Sequence, residues 1–347
     1  MAALSRLDRL AYRAQQLSFL INATVLQETA RTLARVPRPK LSKALIAALR
    51  ERHAALHDRD LANVDAGLYP RELLFGFPVA DYLRAFPRLL LDSPRVARRV
   101  RRGNWRDIPR AAAEDKQRFP AYYRRTFHWQ TDGYFSDYSA SVYDLGVELL
   151  FRGTADVMRR QIIPPITRFI RSQGIPPEHM RLLDVACGTG RTLRQLATTH
   201  PALRFHGVDL SPFYVRRARQ TLADVAELSL AVENGEALPY ADATFDVVTS
   251  VYLFHELPRN ARRRVIAEMA RVVRPGGLVV IEDSAQRADS PELAVALENF
   301  PQDFHEPFFA DYLEDDLAAA LEGAGLEVTA RESHLVARVV VARRPAH

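Results

Sequence analysis

From residue 181 to the C-terminus, short apolar runs alternate with amphipathic stretches, and this alternation admits little besides an α/β layer fold around a parallel sheet. The runs 181–186, 204–208, 228–232, 245–251 and 278–282 read as strands. The helical period of 3.6 falls on 191–199, 212–226 and 260–273 between them. After a further helical stretch at 311–324, the runs 326–332 and 335–342 are joined by a very short turn. A turn that short permits only an antiparallel hairpin. The expectation is a doubly wound, seven-stranded sheet whose last strand runs against the others.

The chain before this region reads differently. Residues 1–60 are helical, with Leu17, Leu20, Ile21 and Val25 at helical spacing and a break at Pro37 and Pro39 before 41–57. Across 61–120, prolines at 70, 78, 87, 94 and 109 predict short pieces. The stretch 95–110 carries Arg95, Arg98, Arg99, Arg101, Arg102, Arg106 and Arg110. It reads either as a solvated basic face or as a patch for an acidic substrate, a partner or a lipid surface. The segment 127–134 mixes aromatic and polar residues, among them His128, Trp129, Asp132 and Tyr134, and fits a lid or simple packing between domains. Helical sequence follows over 139–171, with an interruption expected at Pro164-Pro165. The boundary is placed between a helical N-terminal region, 1–120, and an α/β domain, 121–347.

Composition narrows the class. The 347 residues include 48 Lys and Arg against 42 Asp and Glu, a net charge of +6. That excess is too small to argue for nucleic acid, and nearly all of it is arginine. The single cysteine, Cys187, excludes an internal disulfide and a cysteine-based zinc site, and no metal is expected. No early apolar run approaches the ~20 residues of a membrane span. Residues 1–13 lack the apolar core of a signal peptide. A cytoplasmic enzyme with no membrane span is expected.

The chemistry sits where the first strand gives way to a helix, in Leu182-Leu183-Asp184-Val185-Ala186-Cys187-Gly188-Thr189-Gly190. Glycines let the backbone turn sharply and approach a ligand, and the helix start offers free N–H groups. A second acid, Asp209, ends the next strand about 20 residues on, where a carboxylate can accept bonds from ribose hydroxyls. The dinucleotide fingerprint G-x-G-x-x-G is not met, because Leu193 stands at its third glycine. Asp184, four residues before Gly188, suits a ligand with a cationic amino-acid end better than a pyrophosphate.

With these residues, the segments LDVACGTG at 183–190, GVDLS at 207–211, ENGEALPYADATFDVV at 233–248 and VVRPGGLVVIEDS at 272–284 resemble the successive motifs of class I S-adenosylmethionine methyltransferases. Within that family the group containing the quinone-biosynthesis methyltransferases is most similar, down to Tyr143-Asp144 on the helix before the first strand. The resemblance implies a Rossmann-like fold and S-adenosyl-L-methionine as cofactor. Asp184, Ala186, Gly188 and Gly190 would hold its methionine end. Asp209 would bind the ribose hydroxyls and Leu210 would pack on the adenine. Asn234, Gly235 and Glu236 would recognise the adenine, and Tyr143 would touch the cofactor. The family usually has glycine at Ala186 and aspartate at Asn234.

In-line methyl displacement needs positioning above all, and a base only where the acceptor must lose a proton. His255 and Glu256 after the fourth strand and His305 before the last helix are the candidate catalytic groups, with Glu282, Asp283 and Glu306 as further substrate contacts. The expected partner is a small molecule, apolar or aromatic given the composition of 127–143 and 304–312, with nucleic acid disfavoured and a homodimer left open. Two alternatives remain: an RNA methyltransferase using the 95–110 arginines, and a partner-binding protein that holds the cofactor without turnover.

Overall fold

The computed structural model describes residues 4–34 and 42–346, so the break expected at Pro37 and Pro39 lies outside the described residues. The backbone divides into two compact units, Met1–Met158 and Arg159–His347. Residues 121–158 therefore group with the helices before them, whereas the sequence pattern placed the boundary at 120/121.

The first unit is built on helices Arg6–Ala34, Lys43–Asp65, Val79–Arg102 and Asp137–Leu150. Asp60, fully buried, accepts hydrogen bonds from the hydroxyls of Tyr12 and Tyr69 and so ties the first two helices and the following turn together. Tyr82 and Ala85 of helix Val79–Arg102 pack with Val142 and Leu145 of helix Asp137–Leu150, and Phe77, Leu89, Tyr138 and Leu149 flank them. This contact explains a departure from expectation. Pro87 and Pro94 do not cut the segment into short pieces; both lie inside one helix of 24 residues. Each interior proline costs about 3 kcal/mol, and side-chain packing on the neighbouring helix offsets it, as tertiary context often does. The expected helix over 139–171 is interrupted, but not at Pro164-Pro165. It stops at Leu150, where Arg152 and Gly153 take left-handed φ of 53° and 85°. The two prolines instead sit in the first turn of helix Ile163–Ser172, where a missing N–H costs no hydrogen bond.

The second unit is the expected α/β domain. Its strands are β1 Arg181–Val185, β2 Arg204–Asp209, β3 Leu228–Val232, β4 Phe245–Val251, β5 Val273–Ser284, β6 Glu327–His334 and β7 Ala337–Arg343. They form one Rossmann-like sheet in the order β3-β2-β1-β4-β5-β7-β6. The first five are parallel, and β7 runs antiparallel to both β5 and β6. Leu182, Leu183, Val185, Val248, Val279, Val280 and Ile281 are fully buried, as strands covered by helices on both faces must be. Helices Arg191–Thr199, Pro212–Thr221 and Arg259–Val272 make the crossovers.

Two boundaries differ from the sequence pattern. β5 begins at Val273, which pairs with Phe245 before a register shift between Phe245 and Val247. The helix expected over 311–324 is two, Phe309–Glu314 and Leu317–Gly323, because Asp316 caps the second by accepting from the amides of Ala318 and Ala319. No helix of the described residues is long and apolar enough to cross a membrane.

Candidate functional site

The order of the strands reverses beside β1, which sends the chain from β1 to β2 and β3 on one side and to β4 and β5 on the other. Open α/β sheets bind ligands at the carboxyl ends of the strands beside such a point. Asp184 lies near the end of β1 and Asp209 at the end of β2, the strand paired with it.

The bend between β1 and helix Arg191–Thr199 puts Ala186, Gly188 and Gly190 at φ 62°, 55° and 82°. Each glycine is there for a different reason. A side chain at Gly190 would meet Leu222 Cδ1 at 2.9 Å and the backbone of Ala218 at 3.3 Å, so this glycine lets bend and helix Pro212–Thr221 touch. A side chain at Gly188 would meet nothing within 4 Å. That position faces open space, as a ligand-facing backbone does. Ala186 adopts the left-handed conformation with a Cβ, at a cost of about 1–2 kcal/mol that glycine would not incur.

The bend is tied to the neighbouring strand. Cys187 N–H donates to Val208 O at 2.9 Å, and Gly188 N–H donates to Asp209 Oδ2 at 3.0 Å. Asp209 Oδ1 accepts from Ser211 N–H at 2.8 Å. These amides fix the carboxylate and leave a lone pair on each oxygen for further donors. Asp184 is 1% exposed, and Thr249 on β4 donates to its Oδ1 at 2.9 Å. Burial pushes its pKa up to about 7, with the Thr249 bond opposing and the Asp209 charge adding. Asp209 is raised to about 6, by burial first, against the bonds from Ser211 and Gly188, with Glu256 contributing. Two acids with elevated pKa, and with no ion pair among the described residues, thus flank an open glycine bend. A ligand carrying a positive charge and vicinal hydroxyls relieves both.

The adenine-side candidates follow β3. Asn234 Oδ1 accepts from Glu236 N–H at 2.9 Å, closing a turn with its side chain. Gly235 is needed for close approach, since a Cβ would lie 2.9 Å from Val185 Cγ1. Glu236 is held by Arg264, whose Nε lies 2.6 Å from its Oε2. Leu210 follows Asp209 half-buried, so the candidates Asp184 to Gly190, Asp209, Leu210 and Asn234 to Glu236 all belong to one end of one sheet. Tyr143 belongs to the first unit, on helix Asp137–Leu150, where its ring meets Tyr134 edge-on at 6.2 Å.

On the other side of β1, the turn Phe254–Glu256 follows β4. Asp283 organises it: Oδ2 accepts from Phe254 N–H at 2.7 Å, and Oδ1 from His255 Nδ1 at 2.6 Å and from Ser284 N–H at 2.8 Å. Burial works against a charged His255 ring, but Asp283, then Glu306 and Glu256, outweigh it and lift the pKa to about 9. At neutral pH His255 is an imidazolium and has no lone pair to accept a proton. Edge-on contacts with Phe309 at 5.9 Å and Tyr312 at 6.3 Å complete its surroundings. Glu256, half-buried, acts electrostatically on both His255 and Asp209, which places it between the two halves of the site. His305 ends helix Ala294–Phe304 with φ 51°, and Glu306 next to it is 1% exposed.

Sequence reasoning missed three contributors. Thr249 was visible as a hydroxyl inside the apolar run Val247-Val248-Thr249-Ser250-Val251. Tyr252 and His334 approach Glu282 Oε1 at 3.2 and 3.3 Å; only the fold brings the terminal hairpin to the end of β5. Glu282 is completely buried and its pKa is pushed well above the ordinary range by that burial, against Tyr252 and Arg159. Cys187, also buried, is held as a thiol by burial and by the charges of Asp209 and Asp184.

Residues 182–277 match a family described as a methyltransferase domain. Over 182 residues the chain is 30% identical to a malonyl-[acyl-carrier protein] O-methyltransferase of Geobacter sulfurreducens, covering 50% of this chain and 67% of the relative. It is 31% identical over 169 residues to an O-methyltransferase of Aspergillus nomiae, covering 47% and 71%. A demethylmenaquinone methyltransferase of Deinococcus radiodurans is 40% identical over 103 residues, but these are only 29% of this chain and 42% of that one. With a paired-acid glycine bend at the switch point of a seven-stranded sheet and relatives matched over two thirds of their length, the chain belongs to the S-adenosylmethionine-dependent methyltransferases.

Proposed function

We propose that the protein transfers the methyl group of S-adenosyl-L-methionine to a small apolar or aromatic molecule by in-line displacement. The observation that carries this reading is the pair Asp184 and Asp209, both raised in pKa, on either side of the open bend at Gly188. Asp184 would take the cationic methionine end, and Asp209 the ribose hydroxyls on its two remaining lone pairs. Gly188 and Gly190 would let the backbone approach the ligand, with Ala186 taking the same left-handed turn. Asn234, Gly235 and Glu236 would frame the adenine beside Leu210. The cofactor supplies an electrophilic methyl on a sulfonium.

The chain's own work is placement and exclusion of water. The aromatic cluster Phe300, Phe304, Phe309 and Tyr312, whose last two rings meet His255, supports an apolar acceptor, as does the demethylmenaquinone substrate in one relative's name. His255, held charged by Asp283, would orient the acceptor or stabilise a developing oxyanion. Glu256 would receive a proton where the acceptor must lose one, and His305 would border the acceptor from the loop after helix Ala294–Phe304. A homodimer belongs to the same reading. Leu7, Leu10, Leu17, Ile21 and Val25 form a stripe along helix Arg6–Ala34 and are 53–77% exposed. A monomeric mass in solution would remove that part.

The test is calorimetric titration with S-adenosylhomocysteine. Hydrogen bonds to a charged group contribute about 1.5–3 kcal/mol, so Asp209→Ala should weaken binding by about tenfold or more. Unchanged affinity in a folded variant overturns the assignment of the site. Release of S-adenosylhomocysteine in the presence of quinol or fatty-acid acceptors separates an enzyme from a binding protein that holds the cofactor without turnover.

A further inference from the structure

Helix Val79–Arg102 of the first unit has three faces rather than two. Tyr82 and Ala85 pack into the core, with Leu89 beside them. A second row, Val79, Leu83, Phe86 and Leu90, keeps the alternating spacing of four and three that holds residues on one side of a helix. Its members are 36–69% exposed. The row runs about 16 Å along the axis. A helix of a globular unit needs one apolar stripe to join its core, so this second one is in excess. Exposed apolar rows of this kind mark interaction surfaces.

The third face is basic. Arg84, Arg88, Arg95, Arg98 and Arg102 fall along it, and Arg101 stands at the C-terminal end of the apolar row. Arg84 is paired with Asp81, and Arg88 donates to Ser141 Oγ at 3.1 Å. Arg95, Arg98, Arg101 and Arg102 are exposed and have neither an ion pair nor a side-chain hydrogen bond among the described residues. Arg95, Arg98 and Arg102 line a cleft with Arg99, where four guanidiniums face two carboxylates, Asp107 and Asp132. Asp107 is already bound to Arg99, so the surplus there is positive. Complementing the helix dipole accounts for cations in the last turn. It does not account for Arg88 and Arg95, nor for the apolar row beside them. Whatever covers this side of the helix must be both anionic and apolar.

We propose that this side of helix Val79–Arg102 lies on an anionic phospholipid surface, with the apolar row sunk among the acyl chains and the arginines at the headgroups. The two rows lie side by side over the middle turns, and the arginines continue to the helix end. Such a surface asks for apolar contact and anions at adjacent depths. The boundary between acyl chains and headgroups supplies that pair along any line, and helices with leucine and phenylalanine flanked by arginine bind there. Arginine stems lie along the apolar layer while their guanidiniums stay at the phosphates. A nucleic acid offers the phosphates without the apolar layer. Together with the proposed apolar acceptor, this seating brings the enzyme to where such molecules concentrate. Vesicle binding is measured without turnover, so either reading can fail without the other.

Sedimentation of the full chain with vesicles tests this, using phosphatidylcholine alone or mixed in equal parts with phosphatidylglycerol. The chain should pellet with the mixed vesicles and far less with the neutral ones, and the difference should shrink as salt shortens the screening length. An arginine at such a surface contributes about fivefold in affinity, so Arg98→Gln combined with Arg102→Gln should weaken binding by about 25-fold. Leu83→Ser, at an exposed position, should weaken it by about tenfold or more. Arg168→Gln, exposed on helix Ile163–Ser172 of the second unit, should leave it unchanged. Absence of pelleting by the unaltered chain overturns the proposal. Equal weakening by Arg98→Gln and Arg168→Gln also overturns it, in favour of diffuse charge attraction. A dimer that Leu83→Ser dissociates, without vesicle binding, overturns it in favour of a second copy of the chain. Binding of an oligouridylate that falls steeply with salt, without vesicle binding, overturns it in favour of RNA.

Discussion

The two units differ in how deeply they bury charged pairs. In the sheet unit, Arg262 is entirely buried, with its Nε 2.8 Å from Asp315, a further bond to Asp311 and Nη1 2.7 Å from Leu257 O. In the helical unit, Arg98, Arg101, Arg102 and Arg106 stand exposed, and helices carry exposed leucines such as Leu7, Leu83 and Leu91. The helical unit also forms ion pairs, Arg84 with Asp81 and Arg110 with Glu114 among them, but these are exposed, whereas the sheet unit buries Arg262 with Asp315. A buried pair is bound up with the fold, and breaking it is costly, whereas an exposed pair contributes little.

Removing a buried partner should show the largest effect. Arg262→Ala removes the fully buried guanidinium shared by Asp315, Asp311 and Leu257 O, leaves Asp315 with Arg263 alone close by, and should cost about 3 kcal/mol, read from urea unfolding. A cost below about 1 kcal/mol would erase the contrast, since exposed pairs contribute that little.

A proton can be used in place of a mutation. Asp184 and Asp209 have folded pKa values of about 7 and about 6, above the ordinary 3.8. A raised carboxylate contributes stability that is present below its unfolded pKa and lost as pH rises through the folded one. The ligand-free protein should therefore gain stability between pH 8 and pH 5, and Asp184→Asn should flatten that gain by about 2–3 kcal/mol, the order of two pKa units. An unchanged slope would mean that Asp184 is not desolvated. His255, raised to about 9, adds stability below its unfolded pKa that is lost above pH 9. Asp283→Asn should remove that alkaline loss.

Much of this was legible in the chain itself. The seven strands, their antiparallel ending and the glycine bend follow from periodicity and from Asp184, Gly188, Gly190 and Asp209. What stayed hidden depends on contacts distant in sequence. The helix through Pro87 and Pro94 is supported by Val142 and Leu145, which no local pattern connects to it. The proline rule placed the interruption at Pro164, yet Arg152-Gly153 breaks the helix, because a proline in a first turn forfeits nothing. His255 suggested a base from its position after β4; the charge on its ring is set by Asp283, and only the fold brings that carboxylate to 2.6 Å.

A milder change addresses the bend. Ala186→Gly removes a left-handed Cβ but loosens the unfolded chain, so a net gain of about 0.5–1 kcal/mol is expected. A loss would show that the Ala186 methyl contributes packing. The smallest effect is expected on the outward-facing side: Arg98→Gln should move stability by no more than about 0.5 kcal/mol. A larger loss would make this arginine part of the scaffold and narrow the difference between the units.

Asp283 receives the amide that opens the turn after β4, the imidazole on that turn and the amide that closes its own strand. One carboxylate therefore gears two adjacent strand ends together, so neither can shift without dragging the other. If this face takes the acceptor, as proposed, novelty in what it accepts would come from the ring-bearing helices Ala294–Phe304 and Phe309–Glu314 rather than from re-tuning the turn. A lineage that altered its acceptor would exchange those rings and keep the gear.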